Sequence, residues 1–461
     1  MKFIKDDFLL ESEVSKRLYE YAKKMPIIDY HCHLSPKEIY EDKKFNNISE
    51  LWLSGDHYKW RLMRSFGIDE EHITGKSSDK DKFMAWAKTL SLAIGNPLYE
   101  WSHLELKNYF GFDEVLDEDS AEKVWDLVNE KLKDLSARQL IRNSNVEVVC
   151  TTDDPIDDLN YHKLMANEDM GFKVYPAFRP DKVLNIEKDN WKQYLDKLAE
   201  VASIEIKEYD DLLKALNNRL DYFENVGCKV ADHGLAYVPY EKYNEEEIRR
   251  IFIDRLNDKT LSNKEVEQFK TALLYELNKQ YHDRNWVSQL HYGVKRDNSS
   301  FLYEKVGVDA GGDNIGDSAS IDKLANFLDL VDKDDKLPKT ILYSLNPNDN
   351  VAIDTVMASF QKGPIKSKIQ HGSAWWFNDN YTGMNEQLTS LSLQGYLPGF
   401  VGMLTDSRSF ISYARHEYFR RVLCNYIGKL VKQGRFPDDD KKLRKIVEDI
   451  CFNNTKRYFR F

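Results

Sequence analysis

Eight short apolar runs, each ending abruptly in polar residues, constrain this chain more than any other feature. They are Pro26 to His31, Val146 to Thr151, Phe172 to Ala177, Cys228 to Asp232, Trp286 to His291, Thr340 to Leu345, Ile365 to His371 and Phe400 to Asp406. Stretches such as Val146-Glu147-Val148-Val149-Cys150 are rich in β-branched residues, as strands of a buried parallel sheet are. Between the runs, segments such as Asn190 to Leu198 and Asp210 to Phe223 repeat apolar residues at three- and four-residue steps amid Lys, Glu and Asp, which predicts amphipathic helices. Strands alternating with helices imply parallel pairing through right-handed crossovers, and eight such units close into a (β/α)8 barrel without an edge strand. Length alone suggests about three domains, but barrels with insertions routinely exceed that figure, so one barrel over residues 1–461 is expected.

One spacing is anomalous. The gap between the first and second runs is far too long for a loop, and it carries Trp, Tyr and Leu at helical spacing across Ile48 to Phe66, Asp81 to Ile94 and Ser120 to Leu135. This predicts a helical insertion subdomain over 36–140, placed above the C-terminal end of the first strand where it can act as a lid. The short charge cluster Asp438 to Lys442 reads as a solvated helix start.

Composition narrows the function classes. A net charge of -11 and a pI near 5.6 exclude a nucleic-acid or anionic-membrane surface, both of which need clustered Lys and Arg. An acidic protein that takes an anionic substrate must therefore concentrate arginine locally. Five scattered cysteines with no CxxC pair predict reduced thiols rather than a disulfide framework. With early charge and no apolar stretch of about 18 residues, a soluble cytoplasmic protein is expected.

In a (β/α)8 barrel the active site lies at the C-terminal ends of the strands, so the residues that terminate each run are the ones to inspect. The first run ends in His31-Cys32-His33, the third in Phe178-Arg179-Pro180-Asp181, the fourth in Asp232-His233, the fifth in His291 with Arg296 close behind, and the eighth in Thr405-Asp406-Ser407-Arg408. Side chains alternate along an extended backbone, so His31 and His33 face one side and can share one ion. Asp406, from the run that neighbours the first in a closed barrel, completes a ligand set suited to zinc or another divalent transition metal with positions left open. A histidine pair satisfied by backbone carbonyls is the structural alternative. Arg179, Arg296 and Arg408 can grip a carboxylate through paired hydrogen bonds, or instead tie barrel loops together.

Ile28-Asp29-Tyr30-His31-Cys32-His33-Leu34, with Asp56-His57-Tyr58-Lys59-Trp60, Phe178-Arg179-Pro180-Asp181, Ala231-Asp232-His233-Gly234 and Leu404-Thr405-Asp406-Ser407-Arg408-Ser409, resembles the uronate (glucuronate) isomerases over essentially the whole chain. The resemblance implies an amidohydrolase-type barrel that interconverts D-glucuronate with D-fructuronate, and D-galacturonate with D-tagaturonate. By the same resemblance His31, His33 and Asp406 hold one divalent metal, zinc or alternatively manganese, iron or cobalt. His291, Arg179, Arg296, Arg408, Tyr58 and Trp375 line the substrate pocket. The chemistry agrees: an aldose–ketose exchange through a cis-enediol needs a proton carrier near C2 and positive charge around the oxygens. Asp232 and Asp406 are the carboxylate candidates for proton transfer, His233 is a candidate donor in the same layer, and Trp375-Trp376-Phe377 offers an apolar face. His233 can equally be a histidine packed under the helical insertion, and Tyr58, Trp60 and Met63 packing residues of that insertion. A homo-oligomer acting on a small hexuronate is expected.

The nearest rival is a metal-dependent hydrolase or decarboxylase on the same fold. Many binuclear relatives bridge two metals with a lysine at the end of the fourth strand, where this chain has Asp232-His233, with Lys229 lying further back. A barrel that only binds sugar acids has no need of metal ligands and proton carriers together.

Overall fold

A computed structural model describes residues 2–317 and 320–461. Its strands are β1 (Ile27–Asp29), β2 (Val146–Cys150), β3 (Lys173–Tyr175), β4 (Val230–Gly234), β5 (Val287–Tyr292), β6 (Val294–Lys295), β7 (Asn314–Ile315), β8 (Lys339–Ser344) and β9 (Ile369–His371). All pairings among β1, β2 and β3, and among β4, β5, β8 and β9, are parallel. Phe178, just beyond β3, joins the two sheets: its N–H donates to Val230 O at 3.0 Å, and its carbonyl accepts from Asp232 N at 2.9 Å. Residues 400–406 close the ring, since Asp406 N donates to His31 O at 3.1 Å and His33 N to Ser407 O at 2.9 Å. The result is the (β/α)8 barrel that the apolar runs imply.

Each run lands on the barrel wall, with two differences. The seventh strand begins only at Ile369; Ile365, after the Gly363-Pro364 turn, is exposed. The eighth segment is extended but forms no regular strand. Gly402 sits at φ 77 with its α-carbon so near the Ile450 carbonyl that a Cβ would clash, and Asp406 is left-handed at φ 45. Side chains hold this segment instead: Tyr30 donates to Gly402 O, Asn454 to Phe400 O and Thr455 to Val401 O.

The β1–β2 gap folds as helices. Ile48 to Phe66 forms two of them, Ile48–Leu53 and His57–Phe66, broken at Ser54-Gly55-Asp56, where Asp56 caps the second by accepting from Tyr58 N and Lys59 N. The expected helices near 81–94 and 120–135 are Asp79–Ser91 and Ala121–Leu132. Helix Pro97–Phe110 escapes the periodicity argument because it is buried nearly all round, with Trp101, His103, Glu105 and Leu106 all inaccessible. Helices Trp191–Ala202 and Tyr209–Asn225 confirm the amphipathic segments, and Asp439 caps helix Asp440–Glu448 in the charge cluster. Among the described residues no helix is long and apolar enough to cross a membrane.

Candidate active site

A cavity of about 590 Å³ opens at the C-terminal ends of the strands, and side chains from most of the barrel wall line it. At its floor, His31 Nε2 and His33 Nε2 approach the same oxygen, Asp406 Oδ1, at 3.2 and 3.0 Å. Donors that share an ion at about 2.1 Å sit about 3–3.5 Å apart, so this trio has the spacing of a divalent-cation site. Burial pushes His33 down to about 4, leaving a neutral imidazole with a lone pair to give. Burial also pushes the Asp406 carboxyl up, but hydrogen bonds from both histidines outweigh it and hold the group well below the usual carboxylate range. The other Asp406 oxygen accepts from the Trp375 indole N–H at 2.8 Å.

Behind His31 lies a second carboxylate. Asp232, fully buried on β4, accepts from His291 Nδ1 at 2.7 Å, lies 3.0 Å from Arg179 Nη1 and stands 3.9 Å from His31 Nδ1. Burial alone would raise it, yet His31 and the Arg179 charge, with the hydrogen bond from His291, hold it well below the ordinary range. Because Asp232 takes the Nδ1 proton of His291, the ring's bare Nε2 is left without a partner among the described residues. Burial lowers the His291 pKa from 6.5, so this nitrogen is unprotonated near neutrality.

Strand alternation decides His233. Asp232 points into the barrel, so His233 points out, where Tyr281 lies 3.2 Å from its Nε2 and Asp181 3.6 Å from its Nδ1. It does not line the cavity, and it is not packed under the helical insertion. Asp181 in turn holds Arg179 Nε at 2.8 Å, so this partly buried, cavity-lining guanidinium is paired on both sides, by Asp181 and by Asp232.

Arg296, Arg408, Tyr58 and Trp375 all face the cavity. Tyr58 arrives on the helix capped by Asp56, and Trp376 meets His57 edge to face and lies under the Arg296 guanidinium. Sequence reasoning missed three groups. Arg415 donates to Thr405 O at 2.9 Å and lies beneath the rings of Trp101 and Tyr58. Asp29 accepts from Thr405 N and Oγ1 at 2.8 and 2.6 Å, so Thr405 is gripped from both sides and Asp406 is fixed in its left-handed conformation. Asp309, in a glycine-rich loop, contacts two arginines. Asp29 sits two residues from His31 in the quoted motif and was within reach of the alternation argument; Arg415 and Asp309 carried no signal. Lys229 points to the opposite end of the barrel, where it donates to Arg460 O, away from the His31–His33–Asp406 trio.

A barrel with two histidines just beyond its first strand and an aspartate from the segment that closes the ring defines an amidohydrolase-type protein. The glucuronate isomerase family model matches residues 1–459. The chain is 51% identical to a uronate isomerase from Lachnospira eligens and 53% identical to one from Lachnoclostridium phytofermentans, each alignment covering 100% of this chain and 99% of the relative. The solved uronate isomerase from Thermotoga maritima superposes with a TM-score of 0.94 at 34% identity, covering both chains completely. This chain belongs to the glucuronate isomerase family.

Proposed function

We infer that this protein is a uronate isomerase, which interconverts D-glucuronate with D-fructuronate and D-galacturonate with D-tagaturonate through a cis-enediol. The observation that carries the reading is the meeting of the His31–His33–Asp406 trio with three arginines around one cavity. Arg296 and Arg408, both reaching the same side of the cavity, take the C6 carboxylate. Arg179, anchored by Asp232 and Asp181, meets the charge that develops on the enediolate oxygens. The His291–Asp232 dyad carries the proton at C2, because its Nε2 is neutral and free while both carboxylates are poor bases. Asp406 serves the protons exchanged on ring opening, and Tyr58 closes a phenol over the sugar, with Trp375 beside it. His233 acts only through Asp181.

The trio holds one divalent cation, zinc by its ligand types, with manganese, iron or cobalt as alternatives. When bound it supplies positive charge and a fixed point for the substrate oxygens. The chain works as a single barrel whose segment 36–140 covers the mouth, a reading supported by Tyr58 and His57 on the cavity wall. A cytoplasmic homo-oligomer that binds no nucleic acid completes the proposal; the five free cysteines suit a reducing compartment.

The test is incubation with D-glucuronate in heavy water. Ketose should form with deuterium at C1, and deuterium should reach C2 of the recovered aldose. Failure to form any ketose, with acid or ammonia released from other substrates, would replace the isomerase by a hydrolase.

A further inference from the structure

The loop between β6 and β7 places a carboxylate where the substrate's own must go. Asp309 Oδ2 lies 2.9 Å from Arg408 Nη2, and Oδ1 lies 3.6 Å from Arg296 Nη1. All three groups line the cavity. One carboxylate hydrogen-bonded to Arg408 and ion-paired at longer range with Arg296, whose Nη1 also holds Asp313, approximates the contact assigned above to the uronate C6 group.

The loop is pinned on one side of Asp309. Arg61 and Arg64, from the helix that carries Tyr58, donate to the carbonyls of Gly311, Asp313 and Ala310. Asp313 also accepts from Arg296 Nη1 at 2.9 Å and from Asp297 N at 2.8 Å. Asp309 itself is about half exposed and left-handed at φ 55, between Gly307 at φ 103 and Gly311 at φ 87. Its side chain can turn to solvent while the carbonyls beyond it stay held. Half-exposed ion pairs contribute little net free energy, so a competing carboxylate displaces this one readily.

We propose that Asp309 is an internal stand-in for the substrate carboxylate. It occupies Arg296 and Arg408 in the free protein, gives way to an anionic sugar, and offers a ligand without a carboxylate no means of displacing it. Apparent affinity for the hexuronate is therefore set partly by Asp309. This inference rests on the uronate reading above.

The test is Asp309→Asn, which keeps the left-handed backbone acceptable while removing the charge. The KM for D-glucuronate and the dissociation constant of D-glucarate, an acid at both ends with no carbonyl to isomerise, should each fall about two- to fivefold. Glu304→Gln removes the same charge from an exposed position on the short helix Ser300–Val306 that precedes Asp309 and should move neither by more than about twofold. Unchanged or weaker D-glucarate binding by Asp309→Asn, or equal tightening by Glu304→Gln, overturns the inference. Wild-type protein that does not turn over D-glucuronate overturns the uronate reading and this inference together, whereas turnover with unchanged binding overturns this one alone.

Discussion

Where the barrel strands begin, residues 458 and 459 pack into the opening and the polar atoms of Tyr458 and Lys339 are matched. Tyr458 donates to Lys368 O at 2.7 Å and contacts Thr340 O at 3.2 Å, Lys339 donates back to Tyr458 O, and the Phe459 ring lies 4.8 Å from Tyr30. Where the strands end, the same wall carries a buried excess of charge, and His31 Nδ1 and His291 Nε2 find no hydrogen-bond partner among the described residues. Unmatched buried groups cost stability unless something arrives to use them. One end therefore holds the fold together, and the other spends part of that stability on chemistry.

The largest expected effect separates the two ends directly. Asp406→Asn should lower kcat by about 10²–10³-fold or more while circular dichroism and the thermal midpoint stay near wild type; an Asn variant working at the normal rate would remove Asp406 from the mechanism. Tyr458→Ala should do the reverse, costing about 3–5 kcal/mol in urea denaturation while kcat measured in the folded baseline stays within about threefold. A large kcat loss from Tyr458→Ala would mean that the ends are coupled.

A smaller effect sharpens the contrast through pH. Near the mouth, burial raises Asp29, Glu105, Asp153 and Asp379 to about 7. A carboxyl with a folded pKa above its unfolded value near 4 binds its proton more tightly when folded. Its contribution is fully present below about pH 4 and is lost as pH rises through 7. The thermal midpoint should accordingly decline between pH 5.5 and 8. Glu105→Gln, which keeps an acceptor for the Trp52 indole at 2.6 Å, should flatten that decline by on the order of 1–3 °C. A slope identical to wild type would exclude Glu105 from the effect.

How much of this was legible beforehand follows the same division. The apolar runs place every barrel segment, and period-two alternation places His31 and His33 on one side of β1, because both signals are local. Alternation also separates Asp232 from His233, although the expectation from sequence keeps both in one layer as a polar pair. What stayed hidden depends on distant chain meeting distant chain. Arg415 reads as one more helical cation until the fold lays it beneath Thr405, and Asp309 as one more loop acid until it meets Arg296 and Arg408. The helix Pro97–Phe110 shows no clear stripe because it is buried over most of its circumference.

The eighth stave of the barrel carries Asp406 yet owes its seat to residues at the far tail of the chain, since Asn454 and Thr455 hold the carbonyls of Phe400 and Val401. A proteolytic nick or stop codon just after Asn453 would thus reach the cation-binding trio without touching any of its members. The tail of such a protein tolerates shortening far less than its position at the end of the polypeptide suggests.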